Sequence, residues 1–293
     1  MNIDQVNLAP NKPHILTRLK TIAKEQPVGV IGFILVVLLL AIVAFGPVVA
    51  QASPDKLTAN MLALPFGDSW FGTDERGRDY FARVMEGGRV TVLLSFFALL
   101  TGTVAGTLLG MISAYSKAID IVAQRFVDAI LALPGLFLIL LFITVFGTDL
   151  HVLVFTIGFV TTPGISRIAR GITLGTLTNP YIESAEVAGA SWVRILLRHV
   201  LPNILPTIGV IFSVGLGNVM LLMGGLGFLG LGVQPPQAEW GQMISESRAY
   251  FSMRPWLFLF PGFGLALAVL GVNLLGDALR DLWDPRMRGS SSI

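Results

Sequence analysis

Residues 181–203 read YIESAEVAGASWVRILLRHVLPN, a charge-bearing amphipathic run between two apolar segments of membrane length. Ile182, Ala185, Ala188, Trp192, Ile195 and Val200 recur at roughly helical spacing, while Glu183, Glu186, Arg194 and Arg198 take other faces. Gly189 interrupts the pattern, and Ser191 is placed to cap a second short helix. The expectation is two small surface helices joined at a glycine, where the chain leaves the bilayer and returns. An element of that kind can dock a partner and pass force to the spans on either side.

The rest of the chain sets the solvent. Of 293 residues, 54% are hydrophobic and 13% charged, with a mean hydropathy of +0.75. Soluble domains carry about 25% charged residues, so this is an integral membrane protein, all-α in class. A net charge of +2 is too small to imply nucleic acid as a partner; the basic residues read as topology signals beside membrane lipid. The absence of cysteine excludes a disulfide, a thiolate nucleophile and a Cys-based metal site. His14, His151 and His199 are scattered and no H-E-x-x-H run exists, so metal chemistry lacks ligands. No G-x-x-x-x-G-K-[ST] loop is present either, so any ATP-driven work needs a separate motor. Gly225–Gly230 satisfies G-x-G-x-x-G, but at the end of an apolar span with no preceding strand it is no dinucleotide site.

Residues 1–27 are polar and carry Lys12, Arg18, Lys20 and Lys24 ahead of the first span at 28–49. Further spans are expected near 90–114, 122–146, 150–166, 205–231 and 256–275, making six. With the N-terminus in the cytoplasm, 13 of the 20 Lys and Arg fall on the cytoplasmic side and 7 outside, the positive-inside bias. The outer connection 50–89 strains that rule with Arg76, Arg78, Arg83 and Arg89. Residues 90–276 form the core, with a loop at 171–204, and 277–293 make a cytoplasmic tail. Gly102, Gly106 and Gly110 stand at four-residue spacing, which permits close helix contact in lipid. Asp128 is expected to pair with Arg125 or a neighbouring arginine near the cytoplasmic end of the third span. Asn218 and Asn273 are candidates to line a passage, or to hydrogen-bond between helices.

Four stretches carry a family resemblance. Glu183-Ser184-Ala185, three residues, Gly189, nine residues, then His199-Val200-Leu201-Pro202 resembles the coupling motif of ABC importer permeases, with Ser184 and His199 as departures. Residues 71–91, FGTDERGRDYFARVMEGGRVT, resemble the stretch after the first span in C-type subunits of the dipeptide, oligopeptide and nickel branch. Gly72, Thr73, Asp74, Gly77, Arg78, Asp79 and Arg83 match that motif, and Ala82 and Thr91 replace serines. Physically, Asp74, Glu75, Arg78, Asp79 and Arg83 stand three and four apart, suited to pairing along an interfacial helix. FLGLGVQPPQAEWG at 228–241 and GDALRDLWDPRMR at 276–288 are similar to two further runs of these subunits, and Trp240 suits an interface anchor.

The resemblance implies a type I importer permease fold with a cytoplasmic coupling helix in a bacterial inner membrane, both termini inside. Tyr181, Glu183, Ser184, Ala185, Ala188, Gly189 and Ala190 would then meet the ATPase. Its implied partners are a B-type permease, two ATP-binding subunits that use ATP and Mg, and an extracytoplasmic substrate-binding protein. The chain itself would bind no cofactor and catalyse nothing. Peptides, nickel complexes, glutathione or opine-like molecules all suit such a subunit. The rival class is an ATP-independent secondary transporter or channel, which calls for midplane charges, of which this chain offers few, and inverted repeats, of which none is visible.

Overall fold

The computed structural model describes residues 26–50, 53–67 and 69–283. Apart from one isolated bridge between Thr73 and Asp79, the regular elements among these residues are helical. Helix α1, Pro27–Val49, starts at a proline whose missing N–H is free at that position anyway, and carries no charge over 23 residues. Helix α2, Tyr80–Tyr115, is 36 residues long, about 54 Å at 1.5 Å per residue. It begins ten residues before the expected start, because the Asp79 carboxylate accepts the Ala82 N–H at 2.8 Å and fixes the first turn.

The expected interfacial helix in 50–89 is therefore corrected. Described residues 53–79 form turns, with Gly72 at φ +74° and Gly77 at φ +76°, conformations that end helices. The expected third span is also broken. Helix α3, Lys117–Leu131, and α4, Gly135–Phe146, meet at an 89° bend around Pro134, which cannot donate a backbone hydrogen bond.

Helix α5, Leu150–Leu177, packs along α2 through its glycines. A side chain on Gly102 would meet the Gly158 carbonyl at 2.7 Å; one on Gly106 would meet Thr162 O at 2.7 Å, and one on Gly110 would meet Ser166 O at 2.6 Å. The small-residue expectation holds. Both partner numbers rise together, so α2 and α5 run parallel. The bent α3–α4 pair must then carry the chain back across the layer, and it counts as the sixth crossing beside five long apolar helices.

The α2–α5 relation gives the bundle two ends. Tyr115 and Leu177 share one, here called the hook end, because α6, Pro180–Val187, projects there. The second short helix expected after Ser191 is corrected to the start of α7, Trp192–Phe228, a single 37-residue span. Its turn at Ile195–Val200 is π-helical, closed by Leu201 N–H to Leu196 O. Pro202 supplies the reason: with no N–H it leaves the Arg198 carbonyl without its usual donor, and the ladder shifts by one.

At the opposite, brace end, α7 stops at Gly230, φ +78°, and α8, Trp240–Ser247, lies across the bundle before α9, Trp256–Trp283, returns. Of the 277–293 tail, residues 284–293, with Arg286 and Arg288, lie outside the described residues. Three apolar cores follow in line: α1, α2, α8 and α9 around Trp240 at the brace end; α2, α4, α5 and α7 around Ile157 in the middle; and α2, α5, α6 and α7 around Ile182 at the hook end.

Candidate functional site

At the hook end, α6 is fixed by one buried side chain and one hydrogen bond to α7, and presents most of the rest. Ile182 is 2% exposed, packed with Met111, Ala169, Ile195, Val200 and Ile204. Burying one such side chain contributes about 1.5–3 kcal/mol. Tyr181 leans over His199, and its hydroxyl accepts a 2.9 Å bond from Asn203 Nδ2, tying α6 to α7. Glu183, Ser184, Glu186, Ala188 and Gly189 face outward, and Val187 is 86% exposed. Ala185 and Ala190 are half-buried beneath them.

The glycine is required by the way α6 ends. Gly189 N–H donates to Glu186 O at 2.9 Å and Ala190 N–H to Ala185 O at 3.0 Å, a Schellman pair that needs a left-handed residue. Gly189 supplies it at φ +82°, with open space where a side chain would stand. Among the seven expected contact residues, Glu183, Ser184, Ala188 and Gly189 form one exposed surface, Tyr181 borders it, and Ala185 and Ala190 hold the turn. The result is a rigid, small-surfaced knob with a carboxylate on it, a shape fitted to a groove.

The brace end is built in the opposite way. Arg78 and Arg83 are 2% and 1% exposed, and both meet Asp74, at 2.6 and 3.4 Å. Arg78 also reaches Glu75 at 3.3 Å, and Arg83 donates to Pro236 O at 3.1 Å. The expected charge pairs form, through turns rather than along a helix. Gly72 and Gly77 lie against the Ala63 and Thr58 carbonyls, where a Cβ would not fit, and Thr73 Oγ1 bonds Asn60 O at 2.6 Å. Ser69 reaches Asp79 at 2.5 Å. The seven motif residues thus knot described residues 53–79 onto the start of α2.

Trp240 is corrected from interface anchor to plug. It is 1% exposed, its indole N–H donates to Val84 O at 2.9 Å, and side chains on Gly88 or Gly264 would collide with the ring. Beside it the fully buried Glu239 accepts the Gly241 and Gln242 N–H groups at 3.0 and 2.9 Å and meets Thr91 at 2.8 Å. Burial pushes its carboxyl up from the ordinary range, and those bonds oppose the rise. Glu246, nearby on α8, is also pushed up, by burial first and then by Glu75. Glu239 and Glu246 are absent from the expected site; the acidic residue in E-W-G was its only signal.

The two asparagines do not share a surface. Asn218 is exposed on α7, whereas Asn273 is half-buried with its side chain against Gly217 of α7. Asp128 pairs with Arg167 on α5 rather than with Arg125. Asp120 and Arg170, not singled out by sequence, form a two-pronged pair at 2.6 Å for both bonds.

The described residues thus form a multi-pass helical membrane bundle, braced at one end and carrying an exposed, capped knob at the other. Residues 106–289 match the family described as the binding-protein-dependent transport system inner membrane component. The dipeptide transport system permease protein DppC of Alkalihalophilus pseudofirmus is 36% identical over 267 residues, 90% of this chain and 88% of that one. The probable D,D-dipeptide transport system permease protein DdpC of Escherichia coli is 36% identical over 272 residues, 92% and 91% of the two chains. A glutathione transport system permease protein GsiD from the same species is 35% identical, covering 91% of this chain and 89% of its own. The chain belongs to this family, as a transmembrane permease subunit of an ATP-binding-cassette importer.

Proposed function

We propose that the chain is the C-type half of a permease pair that imports short peptides or a related small solute, with the hook end in the cytoplasm. The second half is a B-type permease. Two ATP-binding subunits, using ATP and Mg, grip α6 from below, and an extracytoplasmic binding protein delivers cargo at the brace end. Both termini are cytoplasmic, and this chain itself holds no cofactor. Relatives named for dipeptide and glutathione transport support the cargo class.

The observation that carries the mechanism is the narrow anchorage of α6, through buried Ile182 and the Tyr181–Asn203 bond, beneath an exposed outer face. Closure of the motor subunits pushes on Glu183 and the Ala188–Gly189 turn. Gly189 holds the turn rigid, so the push reaches α5 directly and α7 through the π turn. The passage between the two permeases then changes the side to which it opens. Gly189→Asp or Glu183→Lys is expected to insert normally and to abolish uptake by the assembled transporter. Unchanged uptake in both variants contradicts the coupling role.

A further inference from the structure

Helix α1 is packed unevenly along its length. Toward the hook end it presses on α9: side chains on Gly29 and Gly32 would meet Ala278 Cβ and Leu275 N, each at 2.6 Å, and one on Gly271 would meet Leu35 Cβ at 2.6 Å. Residues 33–40, FILVVLLL, then offer no small side chain, so the two helices cannot keep that distance. Past Leu35, α1 leans on α2 instead, where Gly46 lies against Met85. Gly264, seven residues before Gly271 on α9, has Trp240 rather than α1 as its nearest neighbour.

The divergence leaves a cavity of about 570 Å³ between residues 35 and 49 of α1 and a far wall of Met85, Trp240, Gly264 and Ala268. A void of that size is foreign to a packed protein interior, and a wholly apolar one gives water nothing to bond. Its place in the bilayer is fixed by α1 itself. The helix has 23 uncharged residues, about 35 Å, against a hydrocarbon core of about 30 Å, so the layer can slide along it by only about one turn. Residues 35–45 lie in hydrocarbon at either limit. Leu38, Ala41, Phe45 and Val49 line the cavity and are also exposed, a stripe at helical spacing, so the cavity is continuous with the lipid-facing surface of α1.

Width decides the occupant. Residues 35–49 extend over about 21 Å, which gives 570 Å³ a mean cross-section of about 27 Å². An α-helix about 10 Å across needs about 80 Å², so a helix of a partner subunit does not enter, whereas one hydrocarbon chain does. We propose that the cavity is a binding site for a single acyl chain of a membrane phospholipid, drawn from the leaflet at the brace end and laid between α1 and α9 against Trp240. The chain completes the α1–α9 seam that the bulky run 33–40 holds open, and it joins the first span to the brace core.

The test uses the complete transporter in proteoliposomes doped with a phospholipid that carries a diazirine in mid-chain, with adducts mapped by mass spectrometry after irradiation. Leu39 and Ala268, 5% and 3% exposed, are shielded from bulk lipid, whereas Leu40, 56% exposed, faces it. Adducts are expected at Leu39, Met85 and Ala268 as well as at Leu40. Ala41→Phe and Ala268→Leu narrow the cavity from its two walls. Each is expected to lower the adducts at Leu39 and Met85 by at least about tenfold, the loss of about two methylenes of contact, with Leu40 unchanged. Adducts at Leu40 with none at Leu39, Met85 or Ala268 mean that α1 closes on α9 or that the partner permease covers the mouth, and overturn the site. Equal adducts at Leu39 and Met85 in the parent and in a narrowed variant that still co-purifies with its partner subunits overturn it as well.

Discussion

The two ends of the bundle spend their charged residues in opposite ways. At the brace end, Asp74, Arg78, Arg83 and Glu239 are removed from solvent and answered by one another, by backbone groups or by Thr91. At the hook end, Glu183 and Glu186 stand exposed on a short helix held by buried Ile182 and the Tyr181–Asn203 bond. Desolvated charges are costly unless every partner is in place, so the brace end tolerates one geometry. Exposed charges on a capped turn cost the isolated chain little and are available to something else. One end is a fixed frame, the other a handle.

That contrast is breakable. The largest effect is expected from Arg83→Ala or Asp74→Ala, which strand a buried charge and cost about 3–5 kcal/mol. Folded protein recovered from membranes should fall sharply, and recovery at the parental level would mean the brace cluster is not desolvated. Trp240→Ala removes the plug between Gly88 and Gly264 and costs a similar 3–5 kcal/mol, read as a lower unfolding temperature in detergent. Thr91→Val keeps the shape but deprives Glu239 of a partner, for about 1–3 kcal/mol. At the handle the sign of the comparison reverses: Gly189→Asp shifts stability by about 1 kcal/mol or less, since Asp tolerates the left-handed region, yet uptake is lost. Val187→Ser, on an 86% exposed side chain, should move stability by no more than about 0.5 kcal/mol.

A pH scan sharpens the same contrast. The Glu246 carboxyl is held above its ordinary value of 4.5 by burial and Glu75, so the folded state binds that proton more tightly than the unfolded chain does. The contribution is complete below about pH 4.5 and is lost as pH rises through the raised folded value. Glu246→Gln should flatten that decline. An identical slope in parent and variant removes Glu246 as its source.

Much of this was legible in the residues, and the failures share a cause. Spans, the glycine contact of α2 with α5, and the hook all follow from local patterns: apolar length, four-residue spacing, a glycine after a short amphipathic helix. What the letters left open depends on long-range partners. Asp74, Glu75 and Arg78 have helical spacing, but the positive φ of Gly72 and Gly77 turns them into a knot whose other strand lies at Thr58–Ala63. Trp240 looks like an interface residue until Gly88 and Gly264 open a slot for it. Asp128 finds Arg167, 39 residues away, in preference to Arg125 on its own helix. The bend at Pro134 was visible as a proline; its 89° angle was not.

The handle can be gripped by ATP-hydrolysing subunits only if it lies on the cytoplasmic side of the membrane. A single cysteine at Val187, in a chain with none of its own, can be offered an impermeant thiol reagent in intact cells and in inside-out vesicles. The expected result is no labelling in intact cells, rapid labelling in stripped vesicles, and protection when the ATP-hydrolysing subunits are added back. Labelling of position 187 from the external medium in intact cells would contradict the account.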